Sequence, residues 1–270
     1  MSATTVALGL ILLLAATAAD VADAALREAQ MLNPADALPQ AAKEGDTQGA
    51  LKLIEESEVF GGDSIVNIQD KTTKKTALHH ASAGGHLETV EMLLSKGADP
   101  DLMAGGGSTP LAAAASDGHV DIVRMLLAAG AGPDTFTSTS PLMYAASQGQ
   151  VDTVKALLDG GASPDLVSGN GRTALQFAAA QDYQDVAATL LEGGADIDLQ
   201  DPQHSKTALM VAAWQGRTEM VKLLLGAGAR TDLLGMGDRT ALEIATKHQP
   251  DNAEIAELIS KAELISKEEL

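Results

Sequence analysis

Five aspartates recur along the chain at a nearly constant interval, and a row of carboxylates is a pattern that can hold cations. They are Asp101, Asp134, Asp165, Asp198 and Asp232. The intervals are 33, 31, 33 and 34 residues, so each carboxylate belongs to a separate unit, about 10 Å from the next if the units are packed helices. A calcium ion takes about six to eight oxygen ligands, more than this spacing brings to one ion. We predict that the row stabilises turns by hydrogen bonds to local backbone, with weak calcium binding as the alternative.

The histidines suggest no convergent set of metal ligands or catalytic groups. His79 and His80 are adjacent, so a helix would point their side chains in different directions. The chain has no cysteine, which excludes disulfides and thiolate metal sites. No nucleophilic side chain has an evident histidine and acidic partner. We therefore predict no catalytic residues, no bound metal and no cofactor.

One six-residue phrase returns six times, and its period indicates the architecture that positions these side chains. The copies begin at Thr76, Thr109, Ser140, Thr173, Thr207 and Thr240. Gly-Ala pairs that begin at Gly97, Gly130, Gly161, Gly194 and Gly228 keep the same spacing with independent residues. A fixed period of this length is typical of a solenoid, in which each unit buries its apolar face against its neighbours.

Each copy predicts a helical hairpin. In the copy at Thr76, the threonine can cap a short helix that ends at Gly84 and Gly85. A second amphipathic run follows, with apolar residues spaced for one buried face, and Gly97 closes it.

This pattern resembles the ankyrin repeat, whose motif has a Thr-Pro-Leu-His start, a Gly-His turn, a Leu-Leu pair and a Gly-Ala-Asp-Val-Asn exit. The resemblance runs from about Leu38 to Ile259. It implies an all-α ankyrin-repeat solenoid of about seven helix-turn-helix units joined by short hairpin-like loops. The units would start near residues 36, 72, 105, 136, 169, 203 and 236, within a domain spanning residues 25–260. The Gly-His turn implies hydrogen-bonding roles for His86 and His119.

The first and last units are expected to be caps. The repeat positions of the first unit are assigned to Leu38, Ala41, Gly45, Leu51 and Ile54, among more polar neighbours. Leu38 lies 40 residues before Leu78, and the excess predicts a long loop that bends at Gly61 and Gly62.

The resemblance also implies a non-catalytic protein-binding function, with the partner in a concave groove. Carrying the family's contact positions onto this chain gives Asp117, Gln148, Gln181, Trp214, Gln215, Lys247 and His248. Trp214 is the only tryptophan, and a rigid aromatic anchor is a common interface hot spot, although packing against a neighbouring helix is the alternative. Tyr144 and Phe177 are expected to be core residues.

Composition narrows the class of partner. The formal net charge is −19, which argues against nucleic acid, because binding phosphates requires clustered Lys and Arg. A basic or neutral protein partner fits better, and the chain is expected to be monomeric. With 45% hydrophobic but only 2% aromatic residues, the core must consist mainly of Leu, Ala, Val and Ile.

The N-terminal sequence has the features of a secretory signal peptide. Residues 6–19 form an uncharged apolar run of 14 residues, or about 21 Å of helix, against a hydrocarbon core about 30 Å thick. Small residues at Thr17 and Ala19, or at Ala22 and Ala24, suit cleavage. We predict a signal peptide over residues 1–24, cleaved near 19–24. A retained leader would instead make the chain a membrane-tethered adaptor.

The C-terminus resembles a retention signal of the endoplasmic reticulum. Residues 261–270 form a charged tail that ends in Lys267, Glu268, Glu269 and Leu270, similar to the Lys-Asp-Glu-Leu signal. Together the two ends predict a soluble protein of the endoplasmic reticulum lumen that meets the retrieval receptor through its C-terminus. Secretion is the alternative if the tail is not recognised.

Overall fold

The chain is described by a computed structural model that covers residues 34–59, 65–235 and 237–268. The predicted signal peptide, the predicted bend at Gly61 and Gly62, and Glu269 and Leu270 at the end of the predicted retention signal lie outside these ranges. Within them the chain forms fourteen α-helices and no strand beyond one isolated bridge between Gly235 and Arg239. The all-α prediction is confirmed.

The helices form seven consecutive hairpins. The first helices of the hairpins are α1 Pro34–Glu44, α3 Ala77–Gly84, α5 Pro110–Asp117, α7 Pro141–Ser147, α9 Ala174–Gln181, α11 Ala208–Gln215 and α13 Ala241–His248. The second helices are α2 Thr47–Val59, α4 Leu87–Ser95, α6 Val120–Ala128, α8 Val151–Asp159, α10 Gln184–Glu192, α12 Thr218–Gly226 and α14 Ala253–Glu268.

The hairpins stack in chain order into two layers. Each first helix packs against the first helices of its neighbours, from α1 to α13, and the second helices form a parallel layer from α2 to α14. The predicted solenoid of about seven helix-turn-helix units is therefore confirmed. Because each unit contacts only its neighbours, the array is quasi-one-dimensional.

The repeated phrase sets where each first helix begins. The hydroxyl of the Thr or Ser that opens each of the six copies accepts a hydrogen bond from the backbone N–H three residues later. Such a cap is worth about 1 kcal/mol. The leucine two residues after the cap is then buried, as at Leu78, Leu111 and Leu142. Short, alanine-rich helices of this kind approach closely, which explains a core with few aromatic residues.

The glycines of the Gly-Ala exits are required by backbone conformation. Gly97, Gly130, Gly161, Gly194 and Gly228 have φ between 84° and 91°. A Cβ at any of them would meet nothing within 4 Å. Crowding therefore does not select glycine there, whereas the left-handed conformation does.

The two ends depart from the sequence-based assignment. In the first unit Leu38 and Ile54 are buried as predicted, but Ala42 and Ala50 are fully buried instead of the half-buried Ala41 and Leu51. At the other end Ile255 and Ile259 are buried, and α14 continues to Glu268, so the predicted charged tail extends a helix. Within the described ranges, no helix has the length and apolarity that a membrane crossing requires.

Candidate binding pocket

Four of the five aspartates in the row connect neighbouring units, whereas Asp232 pairs with the Arg230 side chain. Asp101 accepts a hydrogen bond from the backbone N–H of Gly132 at 2.9 Å, and Asp165 accepts one from Asp196 at 2.9 Å. The same bond joins Asp134 to Ser163 and Asp198 to Arg230. The predicted structural role holds, but its partner is the backbone of the next unit and not the local turn. No group of three or more metal-ligating side chains forms among the described residues.

A second ladder runs through the turns between the two helices in five of the seven hairpins. His86 Nε2 lies 3.1 Å from the carbonyl oxygen of Lys43, and His119 Nε2 lies 3.0 Å from that of Ala83. Gln150 donates to Ser116, Arg217 to Ala180, and Gln249 to Trp214. These side chains satisfy backbone carbonyls at the ends of the preceding first helices. The histidines thus make the expected hydrogen bonds, and the bonds join units.

His79 is a buried structural residue. Its Nδ1 lies 2.8 Å from the Thr76 hydroxyl, and its Nε2 lies 3.0 Å from the carbonyl oxygen of Ser108 in the next unit. Burial lowers the pKa of His79 to about 4, so the ring is neutral near pH 7. His80 points elsewhere and pairs with Asp70 at 3.2 Å.

The predicted contact residues lie at the C-terminal ends of the first helices. Asp117, Gln148, Gln181 and Lys247 are exposed, one in each of four units. Trp214, Gln215 and His248 come together, because the Trp214 and His248 rings stack with centroids 4.7 Å apart and planes inclined by 15°. Only Trp214 and Gln215 of the predicted residues line the pocket described next.

This pocket lies at the junction of the fifth and sixth units and has a volume of about 510 Å³. The fifth unit contributes Asn170, Arg172 and Gln176. The sixth unit contributes Asp201, Gln203, His204, Lys206, Val211, Trp214 and Gln215. We call it the 172–215 pocket. Its wall is mostly polar, with one large aromatic ring.

Trp214 joins the pocket to the core. Its ring is half-buried and packs against the hydrophobic core, and Lys206 Nζ lies 3.5 Å from the ring centroid. A lysine ammonium over an indole is a favourable cation–π contact. Both roles considered for Trp214 are therefore compatible with its position: it packs against neighbours and also faces the pocket.

The hairpin loop that carries Lys206 is organised by Asp201. This buried carboxylate accepts hydrogen bonds from the backbone N–H groups of Gln203 at 3.0 Å, His204 at 2.5 Å and Lys206 at 3.0 Å. Gln176 of the preceding unit donates to the Lys206 carbonyl oxygen at 2.6 Å. The negative charge of Asp201 is thus solvated by the loop itself.

The two cations of the pocket lack such partners. In the described parts of the chain, no carboxylate oxygen is within ion-pairing distance of the Arg172 guanidinium or the Lys206 ammonium. Burial lowers the pKa of Lys206; the Asp201 charge opposes this shift and the Arg172 charge adds to it. The pocket is therefore a locally positive site on a chain whose formal net charge is −19.

The other aromatic residues were only partly anticipated. Tyr144 and Phe177 are half-buried. The fully buried position is the preceding one, occupied by Met143 and Gln176. Phe177 packs against the hydrophobic core as expected, and the guanidinium carbon of Arg172 lies 5.9 Å from its ring centroid.

Sequence reasoning missed the cations of the pocket, although a signal for them exists. The residue immediately before the repeated phrase is Lys75, Arg172, Lys206 and Arg239 in four of the six copies. The hairpin loop places this residue over the first helix, where it can cover an aromatic ring. Reading that position alongside Trp214 points to Arg172 and Lys206.

Comparison with known proteins agrees with this architecture. The family model of ankyrin repeats, in three copies, matches residues 38–137, 129–201 and 196–268. The crystal structure of the human ASB11 ankyrin repeat domain is 26% identical, with a TM-score of 0.67, over 83% of this chain and 96% of that one. The ankyrin repeat domain of Bcl-3, a member of the IkappaB protein family, has a TM-score of 0.70 at 24% identity, over 83% of this chain and 97% of that one.

No curated protein matches the sequence. Ankyrin repeats are in general non-catalytic interaction domains, and the family model covers most of the described chain. The chain therefore belongs to the ankyrin-repeat family.

Proposed function

We propose that this protein is an interaction scaffold of the endoplasmic reticulum lumen, and that it holds a protein partner on the surface formed by its first helices and hairpin loops. The observation that carries the proposal is the 172–215 pocket, where a half-buried indole lies with two cations that have no carboxylate partner among the described residues. Gln176 and Asp201 hold the loop in place, while Arg172, Lys206 and Gln215 line the pocket and can meet a partner. A rigid, pre-formed surface avoids much of the ordering cost of association.

The proposed compartment rests on the two ends of the sequence. The apolar run over residues 6–19 suits a signal peptide, and Lys267 to Leu270 resembles a retention signal that only a luminal protein can use. The exposed contact residues Asp117, Gln148, Gln181 and Lys247 extend the proposed partner surface beyond the pocket.

Partner binding is tested by proximity labelling in cells, comparing the natural chain with Trp214→Ala. We expect the variant to lose specific neighbours that the natural chain labels. Leu264→Ala is a matched control, because it removes an apolar side chain that is 63% exposed on the last helix. If Trp214→Ala and the control recover the same neighbours as the natural chain, the assignment of the surface is wrong.

The compartment is tested with an added glycosylation site. The natural chain has no Asn-x-Ser/Thr sequence, and Glu254→Thr creates one at Asn252. We expect this variant to carry a glycan that endoglycosidase removes, and deletion of Lys267 to Leu270 to release the protein to the medium. A variant that stays unglycosylated in the cytosol would contradict luminal residence.

A further inference from the structure

The 172–215 pocket presents positive charge on a molecule whose net charge is negative. The chain carries 37 acidic and 18 basic residues. Arg172 is exposed and Lys206 is half-buried, and neither has a carboxylate partner among the described residues. Because Asp201 is solvated by three backbone N–H groups, it leaves most of this positive charge available to a ligand.

The neutral groups of the pocket are suited to the same kind of ligand. Gln203, Gln215 and Asn170 are exposed amides that line the wall. An amide N–H₂ donates to a carboxylate, and its carbonyl accepts from a peptide N–H. The exposed part of the Trp214 indole, beside the Lys206 ammonium and the stacked His248 ring, adds an apolar surface for the aliphatic part of a side chain. A carboxylate on a short aliphatic stem, attached to peptide backbone, uses each of these features.

The charge of the whole molecule limits what can surround that carboxylate. A polyanion would be repelled by a chain of net charge −19. A segment in which an acidic residue is flanked by lysine or arginine matches both the pocket and its surroundings. The carboxylate enters the basic pocket, and the flanking cations face the acidic surface.

We propose that the 172–215 pocket binds an acidic side chain of a peptide segment in the protein partner, with Arg172 and Lys206 as the groups that hold its carboxylate. This inference rests on the scaffold function proposed above and adds the chemistry of the ligand. Arginine offers two parallel N–H donors that match a carboxylate, and the ammonium over Trp214 offers a third charge-assisted bond.

The test is selection from a displayed library of random peptides against the full-length mature chain. We expect the natural chain to select peptides with one acidic position flanked by basic residues. The double variant Arg172→Gln with Lys206→Gln should lose the acidic preference. The matched control is Lys75→Gln with Arg239→Gln, which makes the same charge change at the same repeat position outside the pocket.

Affinity for a selected peptide is then measured by fluorescence of Trp214, the only tryptophan. A version of the selected peptide in which glutamine replaces the acidic residue should bind at least about tenfold more weakly, as expected for loss of charge-assisted hydrogen bonds. The double variant should show the same loss, and the control variant should not. Inorganic phosphate should displace the peptide only weakly.

Three results would overturn the inference: no enriched peptide, enriched peptides without an acidic position, or phosphate that binds as tightly as the peptide. Peptides that lack an acidic residue but bind in a Trp214-dependent way would leave the scaffold function intact and refute the ligand chemistry alone. Failure of the scaffold function would be seen separately, as unchanged neighbours for Trp214→Ala in the labelling experiment.

Discussion

The loops before the second and sixth units have the same backbone and different surroundings. In each, an aspartate N–H donates to a lysine carbonyl five residues later, from Asp70 to Lys75 and from Asp201 to Lys206. In each, the aspartate carboxylate accepts from the N–H groups two and three residues later. Both loops therefore use one carboxylate to order a tight turn.

The side chains around the two loops differ. In the second unit His80 bonds to Asp70, and hydrogen bonds from Thr73, His80 and Thr72 outweigh the effect of burial and hold the pKa of Asp70 well below its ordinary value. In the sixth unit Val211 occupies the position of His80, and Trp214 lies three residues further on. The same loop backbone therefore forms a closed hydrogen-bonded turn in the second unit and part of the pocket wall in the sixth.

The largest expected effect comes from removing the two loop carboxylates. Asp201→Ala leaves three part-buried N–H groups without their acceptor, which should cost about 4 kcal/mol of the free energy of unfolding. Asp70→Ala should cost less, because the N–H groups of Thr72 and Thr73 that lose their acceptor are exposed to water. Only Asp201→Ala should also change the fluorescence of Trp214 in the folded protein, since its loop carries Lys206. Urea unfolding measures the first effect and native-state emission the second.

Gln203→Ala serves as the control, because it changes the same loop and keeps Asp201. A similar change of native emission in Asp70→Ala and Asp201→Ala would mean that the loops are not independent, and the proposed contrast between them would fail.

The next largest effect concerns how loops are tied to the preceding unit. His79 Nε2 lies within hydrogen-bonding distance of the Ser108 carbonyl, whereas Gln176 donates to Lys206. With a folded-state pKa of about 4 against 6.5, His79 binds a proton in the unfolded chain but not in the folded one between these pH values. Stability should fall as pH falls from 6.5 to 4, by about 3 kcal/mol in total.

His79→Gln copies the natural arrangement at Gln176 and should remove this pH dependence while keeping most of the stability at pH 8. Urea unfolding at pH 8, 6 and about 4.5 follows the loss. His204→Gln, at an exposed histidine, is the control. An unaltered pH profile in His79→Gln would show that other groups cause the decline.

A smaller effect tests the ladder that the two regions share. Asp165→Ala removes the bond to the Asp196 N–H and should cost about 1 kcal/mol. Asp165→Asn should cost almost nothing, because Asn67 accepts the equivalent bond from Asp99 at 2.8 Å. Thermal unfolding separates the two variants. Equal losses would indicate that the charge, and not the hydrogen bond, stabilises the junction.

These contrasts also explain how much the sequence predicts. The caps at Thr76 and its counterparts, the buried leucines and the exit glycines depend on residues within one unit, so a single period is enough to assign them. The hydrogen bond from the Asp196 N–H to Asp165 and the burial of Gln176 depend on the position of one unit relative to the next. The repeat pattern does not encode that position directly.

The pocket was harder to predict for the same reason. It combines Arg172 of the fifth unit with Lys206 and Trp214 of the sixth, and their proximity follows from the stacking of two units. The net charge of −19 favours an acidic surface on average. It gives no information about one local cluster of basic residues.

The smallest expected effect concerns the feature that distinguishes the loop before the sixth unit from the loop before the second unit. Burial lowers the pKa of Lys206 below 10.5, so the folded state releases this proton before the unfolded state does. The free energy of unfolding should therefore rise slightly with pH in a window below 10.5. Because Lys206 Nζ lies 3.5 Å from the Trp214 centroid, loss of the charge should change the emission of the indole in the same window.

A titration of Trp214 fluorescence from pH 8 to 11 measures this directly. Lys206→Met should abolish the transition, and Lys75→Met, at the equivalent position of the second loop, should leave it unchanged. A transition that persists in Lys206→Met would have to come from another ionising group. In that case the ammonium over Trp214 would not account for the difference between the two loops, and the contrast would rest on Val211 and Trp214 alone.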